Sequence, residues 1–216
     1  MIVHNLDNSN SVLNHFIAEI RDVDIQTDSM RFRRNIERIG EILSYEMSRE
    51  LNFLPSIVKT PLGEKSVPKV ADELVLCSVL RAGLPLHQGV LNYFDQIENA
   101  FISAYRHHSS AEQFEIKVEY LASPSLEGKT LILVDPMLAT GSSLVAVQEA
   151  LAKLGKVKQI HLIAVIAAQE GIDYVSKHFP ENTHLWVATV DSELNSKGYI
   201  VPGLGDAGDL AFGDKL

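Results

Sequence analysis

Cysteine is nearly absent from this chain: Cys77 is the only one among 216 residues. An intramolecular disulfide is therefore excluded, and Cys77, which lies inside the apolar run LVLCSVL, is best interpreted as a buried, unreactive thiol. The sequence also lacks an N-terminal signal pattern and any apolar run of membrane-spanning length. We therefore expect a cytoplasmic protein that does not act at a membrane.

Basic residues are scarce, with 19 lysines and arginines against 28 acidic residues and a formal net charge of -9. This balance argues against a nucleic-acid partner such as duplex DNA, whose phosphates attract a basic surface. Small anionic ligands are not excluded, because a few local cations and backbone N–H groups suffice to bind a phosphate. Apolar residues make up 46% of the chain and charged residues 22%, which is typical of a globular core.

The chain shows no internal repeat and no low-complexity linker, so we predict a single domain over residues 1–216. Residues 1–52 are expected to be helical, and Ser29 is a plausible N-cap for the second helix. The apolar positions of that helix recur at helical spacing: Ile36, Ile39, Leu43 and Met47. The pieces IVKTPLG and SVPKVA, which follow Pro55, are strand-like and broken by turn residues.

From residue 73 onward, continuous apolar segments alternate with amphipathic ones. The predicted strands are ELVLCSVL, NAFISAYR, FEIKVEYL, TLILVD, QIHLIAVIAA and HLWVATV. The predicted helices are LPLHQGVLNYF, SSLVAVQEALAKLG, closed by Gly155 as a C-cap, and EGIDYVSKHF. This alternation predicts an α/β fold with a mostly parallel open sheet flanked by helices. The ending GYIVPGLGDAGDLAFGDKL has too much glycine for a regular element and too many apolar residues for a disordered tail.

The segment LILVDPMLATGSS, residues 131–143, ends a buried strand on Asp135 and leads into a helix. Ligands of open α/β sheets bind at the carboxyl ends of the strands. The helix start offers unpaired N–H groups to a phosphate, and Thr140, Ser142 and Ser143 add hydroxyl donors. Asp135 can accept hydrogen bonds from sugar hydroxyls, so the segment predicts a site for a ribose 5-phosphate. The alternative is a plain strand-to-helix turn capped by serines, with Asp135 in solvent.

This segment lacks the lysine of the ATP-binding P-loop and the spaced glycines of the dinucleotide fingerprint. It resembles the phosphoribosyl pyrophosphate (PRPP) motif of type I phosphoribosyltransferases. Pro136 replaces the usual second acid, which is the form seen in the uracil phosphoribosyltransferases of that group. The resemblance implies that PRPP is bound by Asp135, Pro136, Met137, Leu138, Ala139, Thr140, Gly141, Ser142 and Ser143.

Three further segments resemble the same family. GYIVPGLGDAGDLAFG is similar to its uracil-binding hood, LRAGLPLHQGV to its pyrophosphate loop, and SAYRHHSSAEQFEIKVEY to its mobile β-arm. The resemblance therefore implies the type I phosphoribosyltransferase fold, with a C-terminal hood formed largely by residues 191–216 and a β-arm over residues 105–120. It also implies a strained peptide bond in the pyrophosphate loop, and the bond considered for a cis configuration is Arg81–Ala82.

The resemblance assigns roles to individual residues. The residues it implies for uracil binding are Tyr199, Ile200, Gly205, Asp206 and Ala207. Backbone N–H, C=O and N–H groups complement uracil's acceptor, donor, acceptor edge, and the glycines permit their close approach. The residues it implies for catalysis are Arg81, Arg106, Asp135 and Asp206, and Arg81, Arg106 and Asp206 also contact PRPP. The alternatives are a plain surface loop for the glycine-rich segment and surface ion pairs for the arginines.

The implied activity is the transfer of a phosphoribosyl group from PRPP to uracil, which gives UMP and pyrophosphate. Mg²⁺ would be bound through PRPP, without direct protein ligands. A homodimer or higher homo-oligomer is expected, and some relatives respond to GTP. A GTP effector at Arg31, Arg33, Arg34 and Arg38 is one interpretation of that basic cluster, and a solvated helix face or subunit contact is the other.

Two other functions fit parts of the pattern. One is phosphoribosyl transfer to a different base, although YIVPGLGDAGD weighs against it. The other is a non-catalytic regulator on the same fold that senses nucleotides or binds RNA. The acidic balance and the presence of Arg81 and Asp135 count against that regulator.

Overall fold

The computed structural model of the protein describes residues 1–108 and 114–215, and their side chains outside residues 104–117. The strands are β1 (Ile2–Asn5), β2 (Phe53–Thr60), β3 (Gly63–Val70), β4 (Leu74–Leu80), β5 (Glu98–His108), β6 (Phe114–Ala122), β7 (Thr130–Val134), β8 (Met137–Leu138), β9 (Gln159–Ala168), β10 (His184–Asp191), β11 (Glu193–Leu194) and β12 (Ile200–Val201). The helices are α1 (Leu13–Arg21), α2 (Ser29–Met47), α3 (Leu84–Leu91), α4 (Ser142–Leu151), α5 (Gln169–His178) and α6 (Ala207–Phe212).

The main sheet has the strand order β1-β10-β9-β7-β4-β5-β6, and β8 also pairs with β9. Every neighbouring pair along this order is parallel except β5 and β6, which form an antiparallel hairpin. The central strands are mostly apolar, with buried exceptions such as Ser78 and His161, because helices cover both faces of the sheet. The prediction of a mostly parallel open sheet flanked by helices is confirmed.

The core has one layer on each face of the sheet. Leu76 and Cys77 are adjacent on β4 but belong to different apolar clusters, because successive strand residues point to opposite faces. The cluster of Leu76 includes Ile36 of α2, and the cluster of Cys77 includes Val147 of α4. Burial raises the pKa of the Cys77 thiol to about 12, as expected for an unreactive cysteine.

The N-terminal region departs from the sequence prediction in two places. Residues 1–52 also contain a strand, β1, which extends the sheet beside β10 through the pairs Ile2↔His184 and Val3↔Leu185. The predicted N-cap Ser29 is instead the first residue of α2, and Asp28 caps the helix by accepting hydrogen bonds from the backbone N–H groups of Met30 and Arg31. A carboxylate also interacts favourably with the helix dipole, so Asp28 is the stronger cap.

The predicted C-cap Gly155 does close the helical segment that starts at Ser142, although α4 itself ends at Leu151 and the last turn, residues 152–154, is a 3-10 helix. The glycine-rich C-terminal segment contains the regular helix α6. The pieces IVKTPLG and SVPKVA were predicted to be strand-like, and they contribute to strands β2 and β3, which pair as an antiparallel hairpin. Within the described residues, no helix is both long and apolar enough to cross a membrane.

Candidate active site

Asp135 lies where β7 ends, at the carboxyl edge of the sheet. Its backbone N–H donates to Ile163 O at 3.1 Å, and Pro136 O accepts from Val165 N and Ile166 N of β9 at 3.1 and 3.0 Å. The Asp135 carboxylate accepts a hydrogen bond from Met137 N at 3.2 Å. The start of the 135–143 loop is therefore fixed to the centre of the sheet, which holds the carboxylate in one place.

Burial raises the pKa of the Asp135 carboxyl to about 7. The hydrogen bond from Met137 N lowers it, the charge of Asp206 raises it, and the charge of Lys215 lowers it again. Desolvation is the dominant cause, because removing water penalises the charged form. The carboxyl therefore changes charge near neutral pH when no ligand is bound.

The loop turns into α4 at Gly141, whose φ of +79 is a left-handed conformation that favours glycine. Thr140 Oγ1 lies 2.8 Å from Ser142 Oγ, and it also accepts a hydrogen bond from Ser142 N at 3.4 Å. The next amides of the first helical turn have no partner inside the helix. These N–H groups and hydroxyls form a set of donors at the positive end of the helix dipole, which suits a phosphate.

Helix α5 packs directly against this loop at Gly171. A Cβ on Gly171 would lie 2.0 Å from the carbonyl oxygen of Ala139, and a Cβ on Gly141 would lie 3.1 Å from Gly171 O. The 2.0 Å distance is shorter than any van der Waals contact, so α5 can lie this close to Ala139 O only because Gly171 has no side chain, while the 3.1 Å distance shows that Gly141 is also tightly packed. Gly171 cannot be recognised from the sequence, because its importance depends on this contact.

Arg81 begins the tight loop that follows β4. Gly83 N donates to Val79 O at 2.9 Å, and a Cβ on Gly83 would lie 2.5 Å from Ser78 Oγ. A cis peptide does occur in this loop, but at Leu80–Arg81, one bond before the Arg81–Ala82 bond considered from the sequence. The loop therefore folds back tightly on the ends of the central strands.

The Arg81 side chain contacts the C-terminal segment. Its Nη2 donates to Gly213 O at 3.0 Å and lies 3.6 Å from Asp209 Oδ1. The pyrophosphate loop and the hood thus meet in this structure through the arginine that the sequence singled out.

The hood contains a short hairpin and a helix. Strands β11 and β12 are antiparallel, and the bond Val201–Pro202 is cis. Gly205 has φ +92, and only Leu210 Cδ1, 4.0 Å away, approaches the position of a Cβ there. Asp206 is the N-cap of α6 and accepts from Gly208 N at 2.8 Å and from Asp209 N at 3.1 Å.

An ion pair connects the hood to the N-terminal region. Asp191 accepts hydrogen bonds from Gly203 N, at 2.9 Å, and from the Arg21 guanidinium, which also donates to Gly203 O at 3.0 Å. Burial alone would raise the pKa of Asp191, but the hydrogen bonds from Arg21 and Gly203 and the charge of Arg21 lower it overall. This network holds the hood turn at Gly203 in place.

Three of the predicted segments meet in one cavity of about 210 Å³. Predicted site residues that line it are Arg81, Asp135, Met137, Ser143, Asp206 and Ala207. Gly208 and Lys215 also line it, and neither was predicted. A larger cavity of about 600 Å³ lies beside Leu151 and Pro180, away from these segments. We place the candidate site in the smaller cavity because its charged and hydroxyl groups converge there.

Other predicted site residues lie outside the lining of this cavity. Tyr199 is 44% exposed, whereas Ile200 beside it is buried. Pro136, Leu138, Ala139, Thr140, Gly141 and Ser142 belong to the loop that frames the site, and Gly205 precedes the cap of α6. The backbone of Arg106 lies on β5, paired with Ile116 of β6, and its side chain lies outside the described part of the structure.

The fold places the chain among proteins of the type I phosphoribosyltransferase fold. A hypoxanthine phosphoribosyltransferase structure from Staphylococcus aureus superposes with a TM-score of 0.53 at 16% identity, covering 86% of this chain and 83% of that one. The AQ2163 protein from Aquifex aeolicus superposes with a TM-score of 0.87 at 29% identity, covering 98% of each chain.

Sequence comparison identifies the family within this fold. The uracil phosphoribosyltransferase family model matches residues 8–214. A uracil phosphoribosyltransferase from Porphyromonas gingivalis is 50% identical over 216 residues, which is the whole of both chains. One from Thermococcus gammatolerans is 40% identical over 203 residues, covering 93% of this chain and 88% of its own. The chain belongs to the uracil phosphoribosyltransferase family.

Proposed function

We propose that this protein transfers the 5-phosphoribosyl group of PRPP to uracil, forming UMP and pyrophosphate. The observation that carries the proposal is the convergence of Arg81, Asp135 and Asp206, from three separate segments, in one cavity at the carboxyl edge of the sheet. Family membership supports the same activity.

The ribose 5-phosphate of PRPP binds along residues 135–143. The amides at the start of α4 and the hydroxyls of Thr140, Ser142 and Ser143 donate to the phosphate, while Asp135 accepts hydrogen bonds from the ribose hydroxyls. The Asp135 carboxylate must be ionised for this role. Because its pKa is raised to about 7 by burial, PRPP binding is expected to release a proton near neutral pH.

The pyrophosphate group binds at the loop that begins with Arg81. A guanidinium can donate two parallel hydrogen bonds to phosphate oxygens. In the structure Arg81 Nη2 donates to Gly213 O, and because a guanidinium carries five N–H donors, Arg81 can keep this bond while its other donors bind a phosphate. Arg106 is proposed as a second cation for the same group, at the base of the β-arm.

The donor set of the cavity fits a Mg²⁺ ion that is carried mainly by the substrate. Asp135 and Asp206 are the carboxylates that line it, and among the described residues no group of three or more His, Cys, Asp or Glu side chains could hold a metal by itself. Mg²⁺ commonly uses one or two carboxylates together with phosphate oxygens and water. When bound, it would neutralise part of the charge of the departing pyrophosphate.

The hood recognises uracil through its backbone. Ile200, Gly205 and Ala207 supply N–H and C=O groups that complement the O2, N3–H and O4 edge of the base, with Tyr199 and Asp206 beside them. Ala207 N–H is an amide of the first turn of α6, so it has no partner within the helix. Cytosine presents the opposite pattern at two of these positions, and unpaired polar groups would penalise it by roughly 10⁴-fold.

The protein's contribution to rate is positioning and charge stabilisation. Bond breaking at the anomeric carbon runs ahead of bond making, so positive charge develops on the sugar. The carboxylates of Asp135 and Asp206 lie close to that charge and stabilise it. Closure of the β-arm, whose residues 109–113 lie outside the described part of the structure, would exclude water, which would otherwise hydrolyse PRPP. No general base is assigned.

The test is direct. Purified protein is incubated with labelled uracil, PRPP and Mg²⁺, and UMP is measured, with cytosine, hypoxanthine and orotate as competing bases. UMP formation that only uracil supports is the expected result. Turnover with another base would replace the substrate assignment, and no turnover under any tested pH or effector would favour the regulator.

Further properties belong to the same proposal. Residues 1–216 act as one domain, because the apolar cluster that contains Leu13 also contains Ala211. A homodimer or higher oligomer is supported by the β2–β3 hairpin, where Leu54 is 64% and Ile57 63% exposed. The cytoplasmic location stays a prediction.

A GTP effector also stays a prediction, and the basic cluster of α2 gives it little support. Arg31 pairs with Glu19, Arg34 with Glu37, and Arg38 donates to Asn35. Arg33 donates to Ala211 O at 2.6 Å. All four arginines have partners in the chain, so GTP would have to compete for them.

A further inference from the structure

The C-terminal tail brings a cation into the candidate site. After α6, Gly213 N donates to Asp209 O at 2.8 Å, and Gly213 O accepts from Arg81 Nη2 at 3.0 Å. Two residues later, Lys215 lines the cavity together with Arg81, Asp135 and Asp206. The two hydrogen bonds at Gly213 fix the direction of the tail, so Lys215 enters the site from a constrained position.

The ammonium of Lys215 can be placed by its neighbours. A Cβ on Gly208 would lie 4.0 Å from Lys215 Nζ, 3.1 Å from Asp206 Oδ1 and 3.8 Å from the Cβ of Ala82. Nζ therefore lies near the point where the pyrophosphate loop faces the hood. Its charge also acts on Asp135 through space.

The charges that line the cavity indicate what the Lys215 ammonium can bind. Its charged lining residues are Arg81, Lys215, Asp135 and Asp206, so the two cations offset the two carboxylates. Without Lys215 the lining would be net negative, which opposes a ligand that carries several phosphate charges. Arg81 is partly engaged by Gly213 O and Asp209, whereas the Lys215 ammonium can rotate its three donors toward a phosphate.

We propose that Lys215 binds the pyrophosphate group of PRPP, together with Arg81. The inference rests on the proposed function and adds to it a residue at the end of the chain. Because the contact is lost when pyrophosphate leaves, Lys215 contributes to binding PRPP and product pyrophosphate, and contributes little to binding uracil.

The test compares Lys215→Met with the wild type in steady-state kinetics and in pyrophosphate inhibition. Losing a charge-assisted hydrogen bond is expected to raise KM for PRPP and the inhibition constant of pyrophosphate roughly 10- to 100-fold, with KM for uracil changing less than about threefold. Lys215→Arg keeps the charge and should restore most of the PRPP affinity. Lys177→Met, an exposed lysine on α5, is the matched control and should behave as the wild type.

The outcomes separate this inference from the proposed function. If the wild type does not make UMP, the proposed function fails. If the wild type makes UMP but Lys215→Met keeps its KM for PRPP and its pyrophosphate inhibition, only the role of Lys215 is overturned. A lowered melting temperature with equal loss of affinity for both substrates, not rescued by arginine, would also overturn it, because that result indicates a structural role.

Discussion

Arg21 and Asp191 form a two-point ion pair in which each terminal guanidinium nitrogen donates to one carboxylate oxygen at 2.8 Å. Asp191 is the last residue of β10, and Arg21 is the last residue of α1. Their pair, together with the bonds of each to Gly203, holds the turn that leads into the hood. The position of the segment proposed to bind the base is therefore set by a contact between residues 170 positions apart.

The first prediction concerns this ion pair. Arg21→Met should lower the free energy of unfolding by about 2 kcal/mol, because it leaves Asp191 partly buried without its counterion. It should also raise KM for uracil more than KM for PRPP, since the hood turn loses its support. Denaturant unfolding and steady-state kinetics measure both effects.

The matched control is Arg49→Met. Arg49 pairs with Glu46 one turn away on the surface, and its side chain is 62% exposed, so its loss should cost about 0.5 kcal/mol or less. Equal effects of the two substitutions on stability and on KM for uracil would contradict the assigned role of Arg21.

The second prediction concerns the charge of Asp135. Its folded pKa is raised to about 7, so its contribution to stability is fully present below its ordinary value near 4 and is lost as the pH rises through about 7. Asp135→Asn should therefore raise the free energy of unfolding of the ligand-free protein by roughly 2 kcal/mol at about pH 8 and change it little near pH 4. The value is smaller than the full pKa shift would give, because the side chain keeps some contact with solvent. The same variant should lose PRPP binding and activity.

Denaturant unfolding at both pH values measures this effect, with Asp173→Asn on the exposed face of α5 as the control. No stabilisation at the higher pH would show that burial does not raise the pKa of the Asp135 carboxyl. Unchanged PRPP affinity would show that the ribose lies elsewhere.

The third prediction concerns the contact between α5 and the loop over residues 135–143, which is proposed to bind phosphate. Gly171→Ala places a methyl group 2.0 Å from Ala139 O, so α5 or the loop must move. We expect a loss of about 2–3 kcal/mol in stability, as for other overpacked sites, and a fall in kcat/KM for PRPP of at least about tenfold. Glu170→Ala alters the neighbouring exposed residue and should change neither quantity appreciably. Normal PRPP kinetics in Gly171→Ala would show that the loop tolerates displacement.

The fourth prediction concerns a buried histidine, His161, near the amino end of β9, whereas the candidate site lies at the carboxyl edge of the sheet. His161 Nδ1 accepts a hydrogen bond from Trp186 Nε1 at 3.2 Å, and burial together with the charge of His184 lowers the pKa of His161 to about 4, although Asp72 opposes the shift. Because the folded pKa is depressed, stability is fully present above about pH 6.5 and is lost as the pH falls toward 4, by about 3 kcal/mol. Protonation at Nδ1 would also break the bond to Trp186.

Trp186 is the only tryptophan in the sequence, so its fluorescence reports this event directly. The emission of the folded wild type should change as the pH falls through about 4, the pKa of His161 in the folded protein, and the change should be absent in His161→Gln. Unfolding profiles of the two proteins should converge in acid. A wild-type profile that is flat between about pH 6.5 and 4, after subtraction of the variant, would refute the assignment.

The loop proposed to bind phosphate could be predicted from the sequence because its signal is local. Asp135, Thr140 and Gly141 lie in one short segment between a strand and a helix, and the hydrophobic pattern of both elements is clear in the sequence. Strand β1 was missed because it has only four residues, Ile2–Asn5, at the edge of the sheet, and it forms only because β10 offers an unpaired neighbour. Its pattern does not carry that information.

Helix α6 was missed for a different reason. Its glycine content is unfavourable for a helix, but Asp206 caps it, and Ala207 and Ala211 are buried in the apolar cluster that also contains Ile36 of α2. Tertiary packing therefore overrides local propensity. The contacts of Arg21, Gly171 and Lys215 join distant parts of the chain, and no single segment contains both partners.

The turn at Gly203, Gly205 and the start of α6 has a consequence for how the base preference of the protein can evolve. If the base meets main-chain atoms there, a point substitution has no side chain to exchange for another preference. Adaptation to a new nucleobase would then require a shorter or longer C-terminal segment, so substrate choice in this lineage should be unusually resistant to mutational drift.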